Sequence, residues 1–132
     1  MKRKNNKKEA SLHNSICDYI KYQYPNVVFT SDASGVRLNI GQAKALKRNR
    51  SKHKIPDLII LEPNLYHKGL IIEIKSSRED YLLKNDDYSK KKQIQEQLKT
   101  LDLLNDKGYK SVMMHGFENI TRLIDHYIEN KV

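Results

Sequence analysis

Three residues near the middle of the chain have the types and the spacing to do chemistry: Asp57, Glu73 and Lys75. Asp57 follows Pro56 and opens the apolar run Leu58-Ile59-Ile60-Leu61, while Glu73 and Lys75 interrupt the run Leu70-Ile71-Ile72-Glu73-Ile74-Lys75. Residues two apart on a strand leave the same face. Ile71, Glu73 and Lys75 therefore share one side, and Leu70, Ile72 and Ile74 take the other. Burying a carboxylate or an ammonium is costly unless it is paired, hydrogen-bonded or bound to a metal. Two carboxylates on neighbouring strands can hold Mg²⁺, which prefers oxygen ligands and keeps several of its waters. A metal held there lowers the pKa of a bound water and offsets the charge of a phosphate. A lysine beside it can position the water or stabilise a pentacovalent phosphorus. Such a set is equipped for phosphodiester hydrolysis without a serine or cysteine nucleophile. The plain structural alternative is an ion pair at a sheet edge, and Pro-Asp followed by acid-x-Lys arises by chance in roughly one chain in twenty. Placement separates the two, because these charges sit in the most apolar stretches of the chain.

The elements that must position them can be read from periodicity and punctuation. From Glu9, the recurrence of Leu12, Ile16, Tyr19, Ile20 and Gln23 predicts a helix that ends before Pro25. Residues 27–30 are β-branched and aromatic, a short strand. Residues 31–40 form a polar loop with Gly35 and Arg37, and 41–46 a short helix. Residues 57–61 do not alternate and so predict a strand buried on both faces; 69–75 form the next strand. Residues 78–89 are ambiguous. Ile94, Leu98, Leu101 and Leu104 mark a helix over 90–107 that Gly108 stops. Residues 110–115 are another strand, and 118–130 an amphipathic helix. The expected fold class is mixed α/β, a small central sheet with helices on its faces. The expected organisation is one domain over residues 9–132 behind a basic, disordered arm at 1–8.

Two further polar residues fall on buried stripes. Gln97 shares the inward face of its helix with Ile94, Leu101 and Leu104; it is either a boundary residue or part of the site. Glu9 opens the buried stripe of the first helix. His13, one turn later, reads as a boundary residue, and His53, His67, His115 and His126 lack ligand spacing.

The chain has 132 residues, a net charge of +9 and a pI near 9.6. A balance this basic favours a polyanionic partner, nucleic acid first. The candidate phosphate contacts are Arg37 and the run Lys44, Lys47, Arg48, Arg50, Lys52 and Lys54, which leads straight into Asp57. Nothing resembles a helix-turn-helix or a zinc finger, so cutting by DNA structure, or without preference, is expected over sequence-specific cutting. The single cysteine, Cys17, excludes an internal disulfide framework. No apolar run reaches the length of a membrane span, and residues 1–8 lack a signal peptide's apolar stretch. A cytoplasmic setting, in a cell or a virus-infected host, is the expectation.

On Pro56-Asp57 and Glu73-Ile74-Lys75 the chain resembles the PD-(D/E)xK nucleases, and among them the virus-type replication-repair nuclease (VRR-NUC) domain. The similarity extends to Gly35-x-Arg37, Gln42-Ala43, Leu46-Lys47 and Gly69-Leu70 before the Glu-x-Lys strand, then to Ser89, Gln97, Leu101, Leu104 and Gly108-Tyr109. It spans residues 9–128, and the order of these pieces carries it more than any one of them. The resemblance implies a restriction-endonuclease-like core dependent on Mg²⁺ or Mn²⁺. It matches Asp57 and Glu73 to the metal carboxylates, the Ile74 carbonyl to a third ligand oxygen, Lys75 to the catalytic lysine, Gln97 to the helix glutamine and Glu9 to the acid of the first helix. It also implies a homodimer cutting branched DNA such as four-way junctions or flaps. One departure stands out. Such domains place a glycine shortly before Pro-Asp, where this chain has His53-Lys54-Ile55, so the resemblance does not fix the course of the basic loop. The competing readings are a basic nucleic-acid-binding accessory protein that keeps the fold without cutting, and an assembly subunit whose charges serve protein contacts.

Overall fold

In the computed structural model, β3 (Leu70–Lys75) is the axis of the molecule, with all six of its residues buried. The description covers residues 2–32 and 38–132, with side chains from residue 8 onward; Gly35 and Arg37 lie outside the described residues. The elements run α1 (Lys2–Gln23), β1 (Phe29–Ser31), α2 (Ile40–Arg48), β2 (Leu58–Ile60), β3, a 3₁₀ turn (Arg78–Asp80), α3 (Lys92–Asp106), β4 (Lys110–His115) and α4 (Phe117–Ile128). The four strands form one sheet in the order β1-β2-β3-β4. β1 and β2 are antiparallel, as are β2 and β3. β3 and β4 are parallel, joined through α3 as a crossover requires.

One face carries the main core. Ile16 and Ile20 of α1, and Ile120, Ile124 and Tyr127 of α4, close over Leu58, Ile60, Leu70, Ile72 and Ile74. The other face is covered by α3: Ile94 and Leu101 pack with Met113 and with Tyr81 from the segment after the 3₁₀ turn. These two layers explain why β3 reads as a nearly continuous apolar run. The same expectation holds only in part for β2. Ile59 is half-buried and Leu61 exposed, because the cluster under α3 contains no residue of β2. Ile72 is fully buried at the centre of the main core. Ile72→Ala should cost about 2–5 kcal/mol, read as a fall in the urea midpoint with an unchanged slope. A loss below about 0.5 kcal/mol would contradict this packing.

Several boundaries differ from those expected, for local reasons. The segment expected to be a disordered arm continues α1 back to Lys2; once a helix is nucleated, adding residues to its end is far easier than starting one. The first strand begins at Phe29, not Val27. α2 starts at Ile40, where Asn39 and Gln42 form a reciprocal capping box, and runs on to Arg48. The basic run is thus split: Lys44, Lys47 and Arg48 lie on the helix, and Arg50, Lys52 and Lys54 on the loop after it. Gly108 ends α3 as expected. Its φ of 101° supports the hydrogen bonds from Gly108 N to the Asn105 carbonyl (3.1 Å) and Tyr109 N to the Leu104 carbonyl (3.1 Å), a Schellman ending. Among the described residues no helix is long and apolar enough to cross a membrane.

Candidate active site

Glu73 and Lys75 project from β3 toward α3, and Gln97 comes down from α3 between them. The three are buried, with 5%, 8% and 4% of their surfaces exposed. Gln97 Oε1 accepts a hydrogen bond from Lys75 Nζ (2.9 Å), and Gln97 Nε2 donates to Glu73 Oε1 (3.2 Å). A glutamine suits this place because one neutral amide offers an acceptor to the cation and a donor to the carboxyl. The alternative of a boundary residue does not describe it. Gln97→Leu removes both bonds and strands two buried polar groups, so it should cost about 1–3 kcal/mol per group left unsatisfied. Thermal melts of Gln97→Leu and Gln97→Glu would check this, and a neutral Gln97→Leu would show that the bridge carries no stability.

Asp57 enters from the neighbouring strand end. Its Oδ2 accepts the Ile74 N–H at 2.9 Å. The β2–β3 ladder pairs Leu58 with Ile72; carried on by two residues, the same register would set Pro56 opposite Ile74. Proline has no N–H to give. The Ile74 carbonyl therefore gets no ladder donor from Pro56, while the Ile74 N–H, on the same side of the strand, is taken by the Asp57 carboxylate. The Pro-Asp dipeptide thus turns a strand end into a cluster of oxygens.

The electrostatics follow from crowding. Burial, then the neighbouring charge and hydrogen bond of Asp57, push Glu73 up to about 9, outweighing the lowering effect of Lys75 and Lys54. Burial also raises Glu9, which is half-buried; Lys75 lowers it and Asp57 raises it. Two carboxyls that cannot both ionise cheaply side by side form a donor set suited to a divalent cation. Among the described residues no group of three or more His, Cys, Asp or Glu side chains is arranged to hold a metal. Glu9 is therefore not gathered with Asp57 and Glu73 into one ligand set. Two carboxylates, a backbone carbonyl and retained waters remain a fitting set for Mg²⁺.

The structure adds neighbours that the sequence did not single out. His13, read above as a boundary residue, is buried with its Nε2 4.0 Å from Asp57 Oδ2; its position one turn after Glu9 was the available signal. Asp80 accepts hydrogen bonds from Ser76 Oγ (2.7 Å) and Ser77 N (3.2 Å). Burial works to raise Asp80, but these bonds and Lys75 outweigh it and hold it low. His115 pairs in register with Lys75, and its Nδ1 is 2.8 Å from the Tyr81 hydroxyl. Of the expected phosphate contacts, Lys44, Lys47, Arg48, Lys52 and Lys54 are exposed. Arg50 is tied to Asp32, Nη2 to Oδ1 at 2.7 Å.

No family model and no curated protein matches the sequence. Among solved structures, the chain is similar to one described as a VRR_NUC domain protein. The two share 23% identity and a TM-score of 0.62, over 92% of this chain and 88% of that one. The fold is α/β, restriction-endonuclease-like, and that of a VRR-NUC-like domain.

Proposed function

We propose that this chain, with its VRR-NUC-like fold, is a metal-dependent DNA endonuclease that cuts branched DNA such as four-way junctions or flaps. The observation that carries the reading is the buried Glu73–Gln97–Lys75 bridge beside the Asp57 carboxylate on the Ile74 N–H. A core built only for stability gains little from burying such charges, since apolar residues of similar volume do as well or better.

In this reading Asp57, Glu73 and the Ile74 carbonyl hold Mg²⁺ or Mn²⁺, and Glu9 and His13 tune the charge around them. When bound, the cation supplies an acidified water and offsets the negative charge of the scissile phosphate. An ammonium carries three N–H donors. Gln97 takes one from Lys75, which fixes the side chain and leaves its other donors to orient the water or a phosphate oxygen. Lys44, Lys47, Arg48, Arg50, Lys52 and Lys54, with Arg37, draw the DNA backbone toward Asp57, which makes binding salt-dependent. Cutting opposed strands of a junction calls for two sites, so the working species in this reading is a homodimer.

The test is incubation of the purified chain with labelled duplex, flap and four-way-junction DNA in Mg²⁺, Mn²⁺ or EDTA, beside light scattering for the oligomeric state. Cleavage that needs the metal and prefers a branched substrate supports the reading. Salt-sensitive binding without cleavage of any substrate would overturn it in favour of an accessory DNA-binding protein, and a monomer would remove the paired cut.

A further inference from the structure

We propose that the groove between α2 and the loop over residues 49–55 is a subsite for an unpaired nucleotide of the DNA strand that enters the Asp57 site. The proposal rests on the endonuclease reading and narrows its substrate to DNA with unpaired nucleotides beside the cut.

The groove has a volume of about 420 Å³, within the range of roughly 300–1,000 Å³ usual for small-ligand sites. Its floor is aliphatic, from Leu38, Leu46 and Ile55, and its rim carries Lys47, Arg50, Lys52 and Lys54. Among the described residues that line it, none is acidic. Arg50 is held at the rim by Asp32. An apolar floor under a cationic rim is complementary to one kind of ligand above all, a flat base carrying a phosphate.

The floor is not a piece of the core. α2 buries none of its residues, and it is held as a helix by its capping box instead of by packing. An amphipathic helix with its apolar side left open over a basic rim is preformed for a ligand. Duplex DNA cannot use that floor, because its bases are stacked and only its phosphates reach the rim. An unpaired base can. Ser51 and His53 also line the groove; the His53 ring offers a stacking face, and stacking tolerates any base because every base has a flat π-face.

Position ties the groove to the site. Lys54 and Ile55 line it, and Pro56-Asp57 follow directly in the chain. The charge of Lys54 acts on Glu73. Lys52, His53 and Lys54 also line a second groove with Glu96, Lys99 and Thr100 of α3, the helix that carries Gln97. In this proposal a strand whose phosphates meet Lys99 and Lys54 leaves its next nucleotide over Leu46.

The experiment uses the full chain carrying Glu73→Gln, in EDTA, so that binding is read apart from cleavage. The probes are a blunt duplex and the same duplex with a short single-stranded flap whose first unpaired position is the fluorescent base aminopurine. The flap should bind about tenfold tighter, and aminopurine emission should rise as the base leaves its stack for the floor. Leu46→Asn should abolish both effects and leave blunt-duplex affinity unchanged. Leu46→Met should retain them, and circular dichroism should show both variants folded. Equal binding of the two probes, or a flap preference that survives Leu46→Asn, overturns the subsite alone. A dimer that becomes a monomer with Leu46→Asn also overturns it, by making the groove a contact between copies. A chain that binds neither probe, and in wild-type form cuts nothing, overturns the endonuclease reading with it.

Discussion

Asp57→Asn and Glu73→Gln are each expected to reduce metal-dependent cleavage by at least about 10²–10³-fold, the size of effect seen when one charge-stabilising group is removed from a reacting centre. Both substitutions keep side-chain volume. Asp57→Asn leaves an amide oxygen that can still accept the Ile74 N–H, so the bond at 2.9 Å need not be lost. Glu73→Gln leaves an oxygen that can still meet the Gln97 amide, since the bridge asks only for an acceptor at Oε1. What both lose, in the proposed mechanism, is a carboxylate ligand for the cation. The two variants should therefore stay folded and still bind DNA in EDTA, with activity lost in kcat more than in KM. Lys75→Met should also lower kcat, while leaving both carboxyl groups in place. Full activity in Asp57→Asn would remove the site from the protein. Full activity in Lys75→Met would remove only the role given to the lysine.

The second large effect concerns stability in the absence of metal. Burial and Asp57 raise Glu73 from 4.5 to about 9 in the fold. Between these values the folded state keeps a proton that the unfolded chain has released. Stability contributed by the protonated form is thus fully present below about pH 4.5 and falls as pH rises toward about 9. The loss should amount to a few kcal/mol by the upper limit. Glu73→Gln carries no titrating proton, so its stability should be flat over the window. In EDTA at pH 8 its melting temperature should exceed that of the wild type by about 10 °C. Mg²⁺ should reverse the order, stabilising the wild type through binding to the folded state and the variant far less. Parallel pH profiles for the two proteins would show that Glu73 ionises freely and that the carboxyls are not crowded.

The pairing of these effects has a physical meaning. Under the proposed function, a carboxyl pair that destabilises the empty fold and is relieved by a cation would trade folding stability for metal affinity. The Ile72 cluster on the opposite face supplies the stability that such a trade consumes. Gln97 limits the damage, since its amide satisfies Lys75 and Glu73 without adding a third charge.

By itself the sequence determined the parts that depend on local pattern. The apolar runs located β3 and β4 to within a residue, because a strand covered by other layers carries a dense apolar signal, three isoleucines in β3 and Val112-Met113-Met114 in β4. Gly108 marked the end of α3, because that turn demands a positive φ. Pro56-Asp57 and Glu73-x-Lys75 pointed to one site, because period-two projection set Glu73 and Lys75 on one face whatever the rest of the chain did. The inward stripe of α3 brought Gln97 into consideration but could not tell a boundary residue from a bridge. Only the tertiary structure decided that, by placing α3 over β3 so that one amide spans Lys75 and Glu73. It also decided that β2 is covered on one face only, that His13 lies against Asp57, and that the basic run divides between a helix and a loop around an aliphatic groove. These features depend on which layers meet and how far each one reaches. Asp57 and Glu73 are far apart in the chain, and the crowding of their charges exists only once β2 and β3 are paired and α3 has closed over them.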